Sequence, residues 1–389
     1  MATGDKPYRV YRGGRVRGKV PSFPRPEADG RRGGRPVLPG EGRRRRPRRR
    51  TIILLGVLLL LVAAVVWLVA GYLAVRKGVR DANERLPQRA EDALAPQEGL
   101  LMNQPTTIAL FGTDHAAGIE GRASARRADS IMLVRTDPRR NRVAYLSIPR
   151  DLRVDIPGHS ASKINASFQL GGAGLAIRTV RNFTGIPVNH VVVVDFSRFT
   201  ELVDALGGIT VDNPTAILSN RFDCPYSTQE RCQRWDGWRF RKGTIKLDGY
   251  RALIYSRVRE NRLEPGETDI TRGHRQQLVM QALLDKIASP TTAARLPLIG
   301  EDLAKPLVTD LSTEQFLQLG WRKFRADDGN ALHCRLGGEP SSYGGESILV
   351  PSEDNRNVVS MFLGVSAPQP PQRGLPFAPG CTIGQSSRR

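Results

Sequence analysis

The stretch His190-Val191-Val192-Val193-Val194-Asp195-Phe196 decides the fold class. An unbroken apolar run has no face to offer to water, so a strand here is covered on both sides, as in the sheets of α/β proteins. Ser197–Leu206 follows with helical apolar spacing and is ended by Gly207-Gly208, after which Ile209-Thr210-Val211 reads as another strand. Working outward, Thr106-Thr107-Ile108-Ala109-Leu110-Phe111-Gly112-Thr113-Asp114 is an apolar strand ending in a turn. Asp129–Arg135 and Arg142–Ile148 form a hairpin across Asp137-Pro138-Arg139-Arg140-Asn141. Helical spacing recurs over 174–182, stopped at Gly185, and over 274–288, where Leu278, Val279, Ala282, Leu283 and Ile287 share a face. The stretch 308–365 is expected to hold one helix and short strands. Strands alternating with helices predict an α/β fold: a single layered α-β-α domain around a mixed central sheet, spanning residues 105–365.

The chain has 389 residues, with 59 Lys+Arg against 38 Asp+Glu and a net charge of +21. Its apolar share of 40% excludes a disordered chain, and four cysteines are too few for a disulfide-built scaffold. The five histidines show no HExxH pattern and there is no CxxC, which removes the usual zinc chemistry. The charge is unevenly placed. Residues 1–50 hold 17 Lys/Arg and 4 Asp/Glu, rich in Gly and Pro and without apolar periodicity, and are read as a disordered basic tail. A charge-free run, Ile52 through Val75, begins at once. At 1.5 Å per residue it spans roughly 36 Å, longer than the ~30 Å hydrocarbon core, so residues 51–75 are expected to form one transmembrane helix. The heavy arginine cluster before it places the N-terminus in the cytoplasm and everything after Lys77 outside. A cleaved signal peptide would carry a shorter apolar region and an A-x-A site. Residues 76–104 read as an extracytoplasmic stalk and 366–389 as an extended Pro-rich C-terminal tail. Cys224, Cys232, Cys334 and Cys381 all follow the span, on the oxidising side. Three pairings are possible; proximity favours Cys224–Cys232 and leaves Cys334–Cys381, the alternative being four free thiols.

Charged residues recur at the ends of apolar segments, where α/β sheets place ligands. Asp114 ends the first strand, Arg127 and Asp129 precede the second, and Arg150 and Asp151 end the third. Arg257 and Arg259 close Ala252-Leu253-Ile254-Tyr255-Ser256, read here as another strand, and Arg272 and Gln276 share a face at the start of a helix. Gathered guanidiniums repel unless an anion joins them: at 4 Å and an effective dielectric near 20, each pair costs about 4 kcal/mol. A diphosphate supplies that anion, and carboxylates beside it make sense if Mg²⁺ bridges carboxylate and phosphate oxygens. The plainer readings are that a lone Arg is a surface charge, that Asp151 bridges locally, and that Asp195 caps the following helix. Lys163 and Asn165 lie in a polar loop without an assigned role, and no histidine is assigned one.

These landmarks resemble the LytR-CpsA-Psr family of cell-envelope phosphotransferases over residues 104–365. The resemblance is carried by Phe111-Gly112-Thr113-Asp114, Arg127-Ala128-Asp129-Ser130-Ile131-Met132 and Ser147-Ile148-Pro149-Arg150-Asp151. It continues through Lys163-Ile164-Asn165-Ala166, Val194-Asp195-Phe196, Asp204-Ala205-Leu206-Gly207-Gly208-Ile209 and Leu247-Asp248-Gly249. Tyr255-Ser256-Arg257-Val258-Arg259, Asp269-Ile270-Thr271-Arg272 and Arg275-Gln276-Gln277 complete it. It implies transfer of a phosphoglycan from a polyprenyl-pyrophosphate carrier to a peptidoglycan hydroxyl. Asp114 and Asp129 then match Mg²⁺-associated aspartates, and Arg127, Arg150, Arg257, Arg259, Arg272 and Gln276 match pyrophosphate-holding positions. The family's lipid tail lies in an apolar tunnel; by position, Phe168, Ile177, Val180, Phe183, Phe196, Phe199 and Val203 are nominated for its walls. Two features depart from the pattern: the Ala-, Gly- and Arg-rich loop between Asp114 and Asp129, and an insertion at 219–243.

The expected chemistry is phosphoryl transfer by positioning and charge stabilisation, with Arg150, Asp129 and Asp151 as catalytic candidates. A lipid-pyrophosphate hydrolase would use the same site with water as acceptor. A membrane-tethered regulator whose basic tail binds nucleic acid, and a scaffold that only retains the glycan, are rivals of other classes.

Overall fold

The computed structural model describes residues 49–113, 128–264, 269–375 and 377–384. Most of the basic tail, Asp114 and Arg127 lie outside them. Seven strands form the central sheet. β1 (Thr106–Thr113) is buried along its whole length. It pairs antiparallel with β2 (Ala128–Asp137), which returns antiparallel as β3 (Arg142–Ile148). The valine run, β4 (His190–Asp195), lies parallel to β1 on its other side and carries β5 (Leu307–Thr309) antiparallel at its edge. Beyond β3 come β6 (Leu332–Arg335), parallel to it, and β7 (Gly380–Ile383), antiparallel at the far edge. The order is thus β5-β4-β1-β2-β3-β6-β7, a mixed sheet as expected.

Period-two alternation divides the core. Ala109, Phe111, Leu133, Leu146, Val191 and Val193 face one side, while Ile108, Leu110, Met132, Val134, Tyr145, Val192 and Val194 face the other. The long helix α1 (Arg49–Asn83) precedes the sheet. The first side is covered by α2 (Ala166–Thr184). That helix turns at Gly171–Gly172, where Gly172 takes φ +62 and so needs a residue without Cβ. The second side is covered by α3 (Phe196–Ala205), α4 (Gly249–Arg257) and α5 (Asp269–Ile287), with α6 (Leu296–Ala304) and α7 (Thr313–Arg325) beyond. α8 (Asn355–Leu363) returns to the first side through Val358, Met361 and Phe362.

Several expectations are corrected here. Ala252–Ser256 is helical: Asp248 caps α4 by accepting from the Arg251 N–H at 2.7 Å, and Ala252, Tyr255 and Ser256 fall on its buried face at i, i+3 and i+4. The stretch 308–365 holds two helices, α7 and α8. The segment 76–104, read as a stalk, is packed on the domain. Val75, Val79 and Ala82 recur at i, i+4 and i+7 and are at most 2% exposed, an apolar stripe outnumbered by polar neighbours and so missed by composition. Leu86, Ala90 and Ala93 join the first core side. A Cβ on Gly78 would stand 2.4 Å from the Glu301 carbonyl, and one on Gly300 would stand 2.9 Å from Val75, so α1 and α6 approach through these glycines. Within the described residues the Pro-rich tail carries β7.

Both cysteine pairs form disulfides, Cys224–Cys232 and Cys334–Cys381. In the second, the two residues face each other directly across the β6–β7 ladder. Residues 52–69 of α1 are exposed along one of the most apolar stretches of the chain, the one helix among the described residues long and apolar enough to cross a membrane.

Candidate functional site

The parallel strands β1, β3, β4 and β6 end at the same edge of the sheet, where the antiparallel β2 begins. Asp129 therefore meets Arg150 although they are 21 residues apart. Arg150 Nη1 donates to Asp129 Oδ1 at 2.7 Å and its Nε to Asp151 Oδ2 at 3.3 Å. Lys163 reaches Asp151 Oδ1 at 3.6 Å and Glu346 at 3.2 Å. The loop carrying Arg150 is closed by the backbone, with Asn165 N donating to Arg150 O and Leu349 N to Asp151 O.

The second wall is helical. Arg272 and Gln276 stand one turn apart on α5, at 4% and 9% exposure. α5 is clamped to the end of α4: Arg275 donates to the Val258 carbonyl at 2.6 Å and Gln276 Nε2 to the Ser256 carbonyl at 3.4 Å. α4 in turn sits close on α3, since a Cβ on Gly249 would fall 2.2 Å from the Thr200 carbonyl. Arg257, Arg259 and Arg272 thereby line one cavity. Arg257 Nη1 is bonded to Asp223 Oδ2 at 2.5 Å, so the 219–243 insertion supplies its counter-ion.

Two adjoining cavities result. One is lined by Asp129, Arg150, Asp151, Arg272, Gln276 and Arg335, the other by Asp129, Phe222, Arg257, Arg259, Arg272 and Gln276. Asp129, Arg272 and Gln276 belong to both. The structure thus brings together every described member of the expected arginine set. Sequence reading passed over Arg335, whose Nε donates to the Ala378 carbonyl at 2.8 Å and whose burial lowers its pKa. It gives no role to His274, to Gln277 or, in the tail, to Phe377, all of which line the first cavity. A polar groove lined by Gln277, Gln281, His333 and Arg335 continues outward from the first cavity.

The residues nominated for a lipid tunnel separate. Phe168, Ile177, Val180 and Phe183 belong to the first side of the sheet, and Phe199 and Val203 to the second. The sheet lies between the two sets, so no single channel is walled by both. The Phe196 side chain is outside the description.

Comparison with known proteins agrees with this architecture. The model of the LytR_cpsA_psr family matches residues 70–358, which takes in the packed segment before β1. The chain is 31% identical over 242 residues to the polyisoprenyl-teichoic acid–peptidoglycan teichoic acid transferase TagU of Enterococcus faecalis, covering 62% of this chain and 73% of that one. It is 32% identical over 222 residues to the corresponding transferase TagV of Bacillus subtilis, covering 56% and 53%. The crystal structure of B. subtilis TagV superposes with a TM-score of 0.53 at 27% identity, over 67% of this chain and 98% of that one. TagT bound to LIIa-WTA has the same fold, with a TM-score of 0.52 at 24% identity over 69% and 94%. With the strand-end aspartate and arginines converging as they do, and the family model covering most of its length, the chain belongs to the LytR-CpsA-Psr family.

Proposed function

We propose that this protein is a membrane-anchored transferase that moves a phosphoglycan of teichoic-acid type from a polyprenyl-pyrophosphate carrier onto a peptidoglycan hydroxyl. The observation that carries the reading is the convergence of Arg150, Arg257, Arg259, Arg272 and Gln276 on two cavities that share Asp129. A diphosphate spanning both would meet guanidiniums on either side. In the reaction a bond forms between the acceptor oxygen and the glycan-side phosphorus, and the bond from that phosphorus to the polyprenyl phosphate breaks. Arg150 and Arg272 bear on the charge that moves to the leaving phosphate. The carboxylates that flank Arg150 are at hand for the hydroxyl proton.

Mg²⁺ fits the donor set on limited terms. Among the described residues no group of three His, Cys, Asp or Glu could hold a metal ion. Asp129, bonded to Arg150 through Oδ1, can offer its other oxygen, and the resemblance names Asp114, which lies outside the described residues, as the second carboxylate. Mg²⁺ is commonly held by one or two carboxylates plus substrate phosphates, and when bound would neutralise phosphate charge.

The basic tail is read as cytoplasmic and the domain as extracytoplasmic, which agrees with both disulfides lying after the span. The polyprenyl chain is assigned to the second side of the sheet, because Phe222 both lines the Arg257 cavity and packs on that core. The test is to incubate the purified protein with a lipid-linked pyrophosphoryl saccharide and peptidoglycan fragments, with and without Mg²⁺, and to weigh the products. A phosphodiester to peptidoglycan is expected. Free glycan phosphate as the sole product would make the protein a hydrolase.

A further inference from the structure

The sheet has a second end, opposite the site, and one helix runs along it. Tyr72 on α1, just past the exposed apolar stretch, donates to Glu314 Oε1 at 2.6 Å, which ties the first turn of α7 to the foot of the span. Just past its other end the chain is tied to the β2–β3 turn: Asp327 N donates to Asn141 O and Asn330 Nδ2 to Arg140 O, each at 3.1 Å. That turn, where Asp137 pairs with Arg142, is the end of the hairpin remote from the Ile131–Ile148 pair at the site. α7 has 13 residues and so covers about 20 Å, crossing the site-distal end from the span to the hairpin.

Its two faces differ. Phe316 and Leu319 pack inward on the core, and Leu317 packs on Val75, Val79 and Ala304. Outward, Trp321 is 48% and Phe324 49% exposed, their rings 5.6 Å apart, with the Arg325 guanidinium over Trp321. Leu298 on α6, beside the place where Gly71 of α1 meets Leu296 and Pro297, is 81% exposed. Arg139, in the hairpin turn at the other end, is exposed too. Tryptophan, phenylalanine and arginine on one helix face are the composition of an interfacial helix.

We infer that α7, with Leu298 and the β2–β3 turn, is a membrane-docking face for a bilayer containing anionic phospholipid. Trp321, Phe324 and Leu298 enter the boundary between headgroups and acyl chains, and Arg325 and Arg139 meet lipid phosphates. The occupant follows from continuity: the span leaves the domain beside this same helix, so the bilayer is the surface within reach of it. The inference rests on reading α1 as a membrane span.

The test uses the full chain in nanodiscs of phosphatidylcholine and phosphatidylglycerol brominated near the headgroup end of the acyl chain. Trp67 reports the span and Trp321 the docking face, each isolated as the difference between wild type and Trp67→Phe or Trp321→Phe. Quenching of both components is expected, with the Trp321 component diminished in Arg139→Glu/Arg325→Glu. Quenching of Trp67 alone overturns the docking face and leaves the span. Quenching of neither overturns the span reading on which the inference rests. Undiminished Trp321 quenching in the charge-reversed variant overturns the anionic-lipid preference.

Discussion

The two walls of the site are built on different terms. On the strand side, Arg150, Asp129, Asp151 and Lys163 form one network whose side chains are 17–23% exposed. They hang from strand ends and a backbone-closed loop. On the helix side, Arg257 and Asp223 form a pair at 39% and 38% exposure, with the counter-ion borne on an insertion. Arg150, held from two sides by Asp129 and Asp151 at the end of a strand, keeps its place as charge develops, whereas the half-exposed Arg257, held by one carboxylate on an insertion, adds mainly to binding. Arg150, with Arg272 beside it, should therefore govern the rate of transfer, and Arg257, at the outer end of the helix wall, the affinity for the donor.

The largest effect bears on the scaffold of each wall. Cys334–Cys381 closes a loop of 47 residues beside Arg335 and Phe377, and by chain entropy its loss costs about 4 kcal/mol. Cys224–Cys232 closes 8 residues within the insertion and its loss costs about 2.5 kcal/mol. Urea unfolding of Cys334→Ser/Cys381→Ser and Cys224→Ser/Cys232→Ser should rank them in that order. Equal losses would mean that the two walls are not differently anchored.

Next comes Arg150→Ala. Removing a preorganised donor of transition-state charge lowers kcat by on the order of 10²–10³. The fold should persist, because Asp151 keeps Lys163 and the Leu349 N–H. Single-turnover transfer with circular dichroism as control measures it; a wild-type rate would remove the strand wall from the chemistry. Arg257→Ala, by contrast, should raise the donor KM by about tenfold, the worth of one charge-assisted bond at about 1.5 kcal/mol, with kcat little changed. Asp223→Asn should lower that KM, since it frees Arg257. If Arg257→Ala reduced kcat instead, the contrast between the walls would fail.

The same contrast governs what could be read from sequence. Arg150 and Asp151 were legible because a β-strand end is marked by where its apolar run stops. Arg335 ends Leu332-His333-Cys334 in the same manner and was available to that rule, but its short strand gave little pattern. Arg257 ends a segment that is helical, not extended, and Ala252–Ser256 is too short for periodicity alone to distinguish helix from strand. Lys163 lay in a polar loop, and its partners, Asp151 and Glu346, are far from it in sequence. The packed segment after the exposed apolar stretch was hidden because only one face of α1 is apolar there. The division of Phe168 from Phe199 required knowing which helix covers which face, and apolar content is blind to that.

The smallest predicted effect comes from a group that touches both walls. His274 follows Arg272 on α5 and lines the first cavity together with Arg335. Desolvation, then the charges of Arg335 and Arg275, lower its pKa below the ordinary 6.5, against a weaker opposing bond from Gln277. The imidazole is thus neutral near pH 7, and protonating it would add a cation to a cluster already rich in them. Since the folded state takes up this proton less readily than the unfolded chain, its contribution to stability is complete above about pH 6.5 and declines as the pH falls toward the folded value. His274→Gln keeps an amide in place and removes the titration. The difference in unfolding free energy between wild type and variant, followed from pH 7.5 to 5, should therefore shift against the wild type as acid is added. A difference that stays flat across that interval would mean that His274 meets solvent freely, and that the arginines around it do not form one electrostatic unit in the absence of an anion.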